Sequence, residues 1–441
     1  MNLTVYEIAQ VLGANGSFSD TPVAGFAVDS RLIVDGEVFF CIVGEHSDGH
    51  KHVLQASERG AVLIVSEREI NSKTAVIVVE STKEALIKIA NYYFNKFSAE
   101  VVGITGSAGK TTTKELTTQI LSTKYVTVGN EGNKNTPIGI PISLKHLTSD
   151  TELFVAELSG SHFDELPQLM RIITARVAVV TNVGQTHLER LKDMDGVAKA
   201  KGYLISSLPV GGVAILNNDD PRVSQMRELT RCKVVTFGIN RKADVSGDLI
   251  EDKFIITAGT KTYTVTPKTP TIHFLYDTLS AIAVGLEYGV SLKQSIEVVA
   301  KFSPVEGRGR VLKSKQGFSI IDESYNANPV SMRENLKALD RRDGRKFAVL
   351  SDMLQMGENT EQIHTSLGEF VSRLSLDGVF CYGELSKHIA HACPGANHYN
   401  SIQTLVNTLK TKLRDGDWLL VKGSNSMNMG NIIELLISTE S

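Results

Sequence analysis

The chain has 441 residues, 42% hydrophobic and 22% charged, with a formal net charge of -3. That length accommodates about three domains of ordinary size. So small a net charge offers no bulk attraction to nucleic acid, and no apolar run reaches the roughly 18 residues of a membrane-spanning helix.

The first stretch, MNLTVYEIAQVLGANG, is amphipathic and carries Glu7 and Gln10. It lacks the basic start and long apolar run of a signal peptide. The cysteines (Cys41, Cys232, Cys381 and Cys393) are scattered with no C-x-x-C pair. That spacing fits structural thiols in a reducing compartment better than disulfides or zinc, so a cytoplasmic address is expected. Strands are predicted at 61–66, 75–80, 101–106, 153–158, 177–182 and 212–217, with helical patterns such as 81–97 between them. This alternation predicts an α/β chain whose central sheet is mostly parallel with helices on both faces. Residues 243–267 instead alternate around turn glycines and read as hairpins. A further α/β block, with strands at 318–324, 346–353, 378–383 and 417–424, begins near Val311. Domains are expected at 1–98, 99–310 and 311–441.

The segment GITGSAGKTTTKE, residues 103–115, follows a predicted strand and runs into a helical pattern. The common phosphate loop reads G-x-x-x-x-G-K-[ST], but five positions before Gly109 stands Ile104. The available glycine is Gly106. Strand, glycines, lysine and a threonine triplet nevertheless occur in the order a phosphate site needs. Backbone N–H groups at a turn and helix start face an anion. Lys110 would reach the β- and γ-phosphates, and Thr111 would hold Mg²⁺. Glu157 ends one later strand and His187 follows another. In an open parallel sheet ligands gather at carboxyl strand ends, so both are candidate metal ligands, against the blander readings of a solvated cap and a satisfied histidine.

The short loop G-x-x-G-K-T resembles that of the Mur ligase superfamily of ATP-dependent amide-forming enzymes. Gly106, Ser107, Ala108, Gly109, Lys110, Thr111 and Thr112 are the matching nucleotide-binding positions. The resemblance continues through the chain and implies a central phosphate-loop domain and a C-terminal Rossmann-like domain. DSRLIVDGEVFFCIVGEHSDGHKHV (29–53) is similar to the family's uridine-nucleotide region, implicating Ser30, Arg31, Gly44, Asp48, Gly49 and His50; by itself it reads as a polar loop. GNKNTPIGIP (132–141) resembles the segment beside acceptor and phosphate, with Asn133 and Asn135. Lys201 in AKAKGYL matches a lysine that relatives carbamylate to bridge metals; an ordinary solvated lysine is the other reading. Arg308 matches a ribose- or phosphate-contacting position. Asn326 and Asn328 match positions facing nucleotide and incoming amine, and Asp352 and Lys422 stand at further strand ends, Lys422 toward substrate.

The resemblance implies ATP and Mg²⁺, the metal held by Thr111 and Glu157 with a second near His187. It implies Lys110, His187, Lys201 and Asn326 as catalytic residues. It also implies a monomer that joins D-alanyl-D-alanine to a UDP-linked muramoyl tripeptide through an acyl phosphate, in peptidoglycan precursor synthesis. Departures from the family pattern leave a changed amine or carboxylate as the alternative, and a non-catalytic nucleotide-binding scaffold as a third. Phe274 and Asp277 stand where asparagines are usual, Ser351 where a glycine is, and Asn425 where an arginine is.

Overall fold

The computed structural model describes residues 1–44, 47–354 and 356–438. Three sheets follow one another along the chain. The first is all parallel, in the order β1 (Gly25–Ala27), β2 (Glu37–Phe40), β3 (Leu63–Ser66), β4 (Val76–Val78). The second has nine strands: β5 (Glu100–Thr105), β6 (Thr127–Gly129), β7 (Leu153–Glu157), β8 (Ala175–Val180), β9 (Val213–Asn217), β10 (Lys233–Gly238), β11 (Val245–Ile250), β12 (Lys253–Ala258) and β13 (Lys261–Val265). Its order is β13-β12-β11-β10-β9-β8-β5-β7-β6. It is parallel from β6 to β11, and the antiparallel meander β11-β12-β13 ends it where hairpins are expected. The third comprises β14 (Arg310–Lys313), β15 (Ser319–Glu323), β16 (Lys346–Ser351), β17 (Gly378–Tyr382), β18 (Asn397–Tyr399) and β19 (Trp418–Lys422). Its order is β14-β15-β19-β16-β17-β18, with only β14 antiparallel.

Strand periodicity explains the helices on both faces. Side chains alternate across a strand, and a parallel sheet must bury both faces. On β8, Val177 and Val179 join one buried cluster while Ala178 and Val180 join another. On β7, Leu153 and Val155 divide from Phe154 and Ala156 in the same way. The first face packs on the helices Lys110–Leu121 and Ile272–Glu287. The second packs on Glu165–Ile172 and Met194–Ser206, and its cluster runs on into the N-terminal sheet. β16 repeats the division, Phe347 and Val349 against Ala348 and Leu350. Each parallel run thereby points its carboxyl ends in one direction, and the polar residues that follow those ends are what the fold presents to a ligand.

Candidate nucleotide and ligase site

β5 leads into the turn 106–109 and then into the helix Lys110–Leu121. Two glycines shape that turn. Gly106 has φ +153° and Gly109 φ +80°, where side chains are rare. A Cβ at Gly106 would fall 1.8 Å from Thr181 Oγ1, and one at Gly109 2.1 Å from Asp277 Oδ1. The short loop is therefore a tight corner pressed between two neighbours.

The segment after β8 grips this corner from one side. Ala108 N donates to Asn182 Oδ1 (2.8 Å), and Asn182 Nδ2 and Thr181 Oγ1 donate to Ala108 O (3.1 and 2.6 Å). Gly184 N donates to Ser107 Oγ at 2.8 Å, and Thr186 Oγ1 to the same atom at 3.2 Å. Thr181, Asn182 and Thr186 went unrecognised in the sequence. Their signal was a polar Thr-Asn pair ending a strand that runs beside β5.

Glu157, at the end of β7, is buried and heavily constrained. Thr111 Oγ1 donates to its Oε2 at 2.6 Å, and Asn135 Nδ2 to its Oε1 at 2.7 Å. Asn130 accepts from the Glu157 backbone N–H at 2.7 Å. The hydroxyl and carboxylate expected to hold a metal thus meet, and Asn135 joins them; Asn133 is exposed. His187 takes a left-handed conformation (φ 54°) at the start of the helix Leu188–Leu191, next to Thr186. Among the described residues, no three His, Cys, Asp or Glu side chains gather around one point.

Cations converge on the loop. Lys110 Nζ donates to Gly106 O at 2.9 Å, folding the loop's lysine back over its own turn. Desolvation lowers its proton affinity and Arg308 adds repulsion, against the pull of Glu157 and Glu165. Lys201 is 2% exposed, so the reading as a solvated lysine is overturned. Burial, then the Lys110 charge, brings its pKa down to about 7, which leaves a substantial neutral fraction near neutral pH. An added Cβ on Gly160 would lie 3.6 Å from its Nζ.

The C-terminal sheet supplies the opposite wall. Arg308 stacks 3.8 Å over the Tyr325 ring. Lys422, also buried, donates to Asn326 O (2.9 Å) and Glu323 Oε2 (3.3 Å), and desolvation lowers its pKa. Asn326 is exposed, with its Oδ1 accepting from Ala327 N. Asn328 has a structural duty: its side chain caps the helix Pro329–Asp340. Asp352 accepts from Ser386 N at 2.8 Å, tying β16 to the loop after β17. His364 likewise serves the fold, donating from Nδ1 to Thr360 O and accepting from Met353 N.

Two residues at departures from the family pattern have clear positions. Phe274 is core: it stacks on Phe302 (5.5 Å, 17°) and tilts against Phe254. Asp277 is buried against Gly109, and burial raises its pKa to about 8. In the N-terminal part, Ser30 Oγ donates to Gln55 Oε1, and Arg31, exposed, pairs with Asp29. Asp48 and His50 bind each other at 2.6 Å, and His50 Nε2 accepts from Glu67 N. Gly44 N donates to Ser47 O, and Gly49 begins the short helical turn Gly49–His52.

The chain matches the Mur ligase family, catalytic domain over 22–94, the Mur ligase middle domain over 104–285 and the Mur ligase, glutamate ligase domain over 307–425. It is 30% identical to the UDP-N-acetylmuramoyl-tripeptide–D-alanyl-D-alanine ligase of Bacillus subtilis (strain 168), covering 99% of this chain and 98% of that one. A crystal structure of MurF from Acinetobacter baumannii superposes with TM-score 0.89 at 27% identity, covering 99% of both chains. MurF ligase from Thermotoga maritima in complex with ADP gives 0.84 at 28%, covering 94% of this chain and 97% of that one. A tight glycine corner between strand and helix, faced by a third sheet and set in a chain matched from end to end by such relatives, leads to one conclusion: the chain belongs to the Mur ligase family.

Proposed function

We propose that this protein is an ATP-dependent peptide ligase that joins D-alanyl-D-alanine to a UDP-N-acetylmuramoyl tripeptide, releasing ADP and phosphate. The observation that carries the reading is the tight glycine corner 106–109 after β5, with Lys110 folded over it and the Thr111–Glu157 pair directly behind it. Lys110, Lys201 and Lys422 have proton affinities lowered chiefly by desolvation, with Arg308 acting on Lys110 and Lys422 and Lys110 acting on Lys201. A triphosphate held by the corner's amides would meet the Lys110 ammonium and the Arg308 guanidinium. The full-length likeness to D-alanyl-D-alanine ligases supports the choice of substrates.

In this reading the amides of 106–109 and the Lys110 ammonium hold the β- and γ-phosphates. Thr111 Oγ1 and Glu157 Oε2 form a hard-oxygen pair that fits Mg²⁺ keeping water and phosphate as its other ligands. Bound there, the ion would neutralise phosphate charge. The tripeptide carboxylate attacks the γ-phosphorus and ADP departs. The dipeptide amine then attacks the acyl carbon, phosphate leaves, and the nitrogen gives up a proton. His187 and Asn326 border the space where carboxylate and amine meet. Lys201, near-neutral beside Lys110, is suited to carbamylation, which would turn a cation into an oxygen ligand. Ser30 and Arg31 are assigned to the uridine nucleotide, with Gly44, Asp48 and His50 shaping that loop. Arg308, Asn328 and Asp352 line the nucleotide side. We assign the protein to the cytoplasm, where its nucleotide substrates are made, and as a monomer.

The test is phosphate release with ATP, Mg²⁺ and the muramoyl tripeptide, with and without the dipeptide. Dipeptide-dependent release, with a product of the summed mass less water, supports the assignment. Asn425, exposed where relatives carry arginine, motivates a second reading with a changed amine. Release with another amine but not with this dipeptide would establish that second reading.

A further inference from the structure

A cavity of about 370 Å³ opens between the central and C-terminal sheets, within the roughly 300–1,000 Å³ of small-molecule sites. Gln185 and Leu188, from the segment after β8, form one side. The helix Pro329–Asp340 and residues 356–366 form the other. Among the described lining residues Arg333 alone is charged. Gln185, Asn359 and Gln362 bring amides, and Leu188 and Met356 bring apolar surface.

Arg333 is held in place before any ligand arrives. Its guanidinium stands 4.9 Å over the Phe370 ring, and Nη2 donates to Ser366 O (3.0 Å) and Oγ (2.8 Å). No carboxylate among the described lining residues neutralises it. A fixed guanidinium facing amides and small apolar surface suits a carboxylate carried on a short uncharged chain. The cavity also starts beside the reaction centre. Gln185 follows Gly184, which exchanges hydrogen bonds with Ser107 of the phosphate loop. Leu188 follows His187, and Pro329 follows Asn328.

We infer that this cavity seats the incoming amine, a dipeptide with small apolar side chains, and that Arg333 holds its terminal carboxylate. A dipeptide that reacts through its amine must direct that end at the phosphate loop. Its carboxylate then lies a dipeptide's length away and requires a cation there. The amides are placed for the peptide group, and Leu188 and Met356 for methyl side chains. The inference rests on the ligase reading above and extends it to a specificity residue.

The experiment compares D-alanyl-D-alanine with its C-terminal amide, using the full-length enzyme, ATP and the muramoyl tripeptide. Wild type is expected to favour the acid by about 10- to 100-fold in kcat/KM, the usual worth of a hydrogen bond to a charged partner. Arg333→Ala should raise the dipeptide KM by about the same factor and abolish the preference, with Arg333→Lys recovering part of it. The KM values for ATP and the muramoyl tripeptide should stay within about twofold. Gln362→Glu leaves the Arg333–Phe370 packing intact and adds a carboxylate to the cavity. It should raise the KM of the acid and spare the amide, so it decides the matter even if Arg333→Ala misfolds. An unchanged acid-over-amide preference in these variants overturns the inference, as does an Arg333 effect falling on the muramoyl tripeptide. A wild type that makes no product with the dipeptide defeats the ligase reading and this inference together. An active wild type with indifferent variants defeats only the inference.

Discussion

Asp277 is a carboxyl group held against the glycine corner 106–109, with Thr113 Oγ1 donating to it at 3.2 Å. Burial raises its pKa from 3.8 to about 8; Glu323 pushes the same way, while Thr113 and Arg308 oppose. Between those two values the folded state holds a proton that the unfolded state has released, so stability from this group falls as pH rises through the window. Lys201 acts oppositely between about 7 and 10.5, where only the unfolded state keeps its proton. Asp277→Asn separates the two. It should stabilise the protein more at pH 8 than at pH 5, as read by thermal melting, and an equal effect at both would refute the buried neutral acid. Gly109→Ala should be worse than an ordinary helix-start change. The new methyl meets Asp277 Oδ1 at a positive φ, and losses of a few kcal/mol attend such strain. Melting within about a degree of wild type would contradict the geometry, since 1 kcal/mol moves a domain of this size by ~2–4 °C.

The element that matters most is the pair formed by the phosphate corner and the segment after β8. A loop without four spacer residues has less internal bonding, and here Asn182 supplies it from outside through Ala108 N and O. Asn182→Ala should raise the KM for ATP about tenfold, because one or two buried hydrogen bonds are worth ~1–3 kcal/mol. An unchanged KM with normal folding would show that the corner holds its shape alone. The long buried strands β5, β7, β8 and β9 were legible because β-branched runs bounded by turn residues have one good solution. The short edge strands β6 and β18 were not, since three residues carry little pattern and their pairing comes from the neighbour.

Across the whole molecule, ligand and fold are coupled through charge. Arg308 and Lys422 from the C-terminal part share one field with Lys110 and Lys201 from the centre. An anion entering there stabilises the folded state by about 2.7 kcal/mol at a hundred times its Kd. ATP with Mg²⁺ should therefore raise the melting temperature of the wild type. Lys110→Ala should keep the fold, lose most of that shift and fall to background turnover. A folded variant with near-normal activity would remove Lys110 from the assignment.

Local sequence was sufficient for whatever depends on neighbours along the chain. The order G-x-x-G-K-T after a buried strand marked the glycine corner, and Glu157 and Lys422 stand at the strand ends where the alternation put them. Alternation over 243–267 marked the meander. The remaining properties come from residues far apart in the chain. Lys201 was open between a modified metal-bridging lysine and a solvated one until the helix Met194–Ser206 buried it, where desolvation changes its chemistry. Phe274 stands where an asparagine is usual, and only the packing of Phe254 and Phe302 around it shows that it is core. Asn328 reads as a ligand from its motif alone, and only the folded chain shows that its side chain also caps its own helix. Burial and the distance between distant charges set proton affinity and availability, and both are properties of the packed chain.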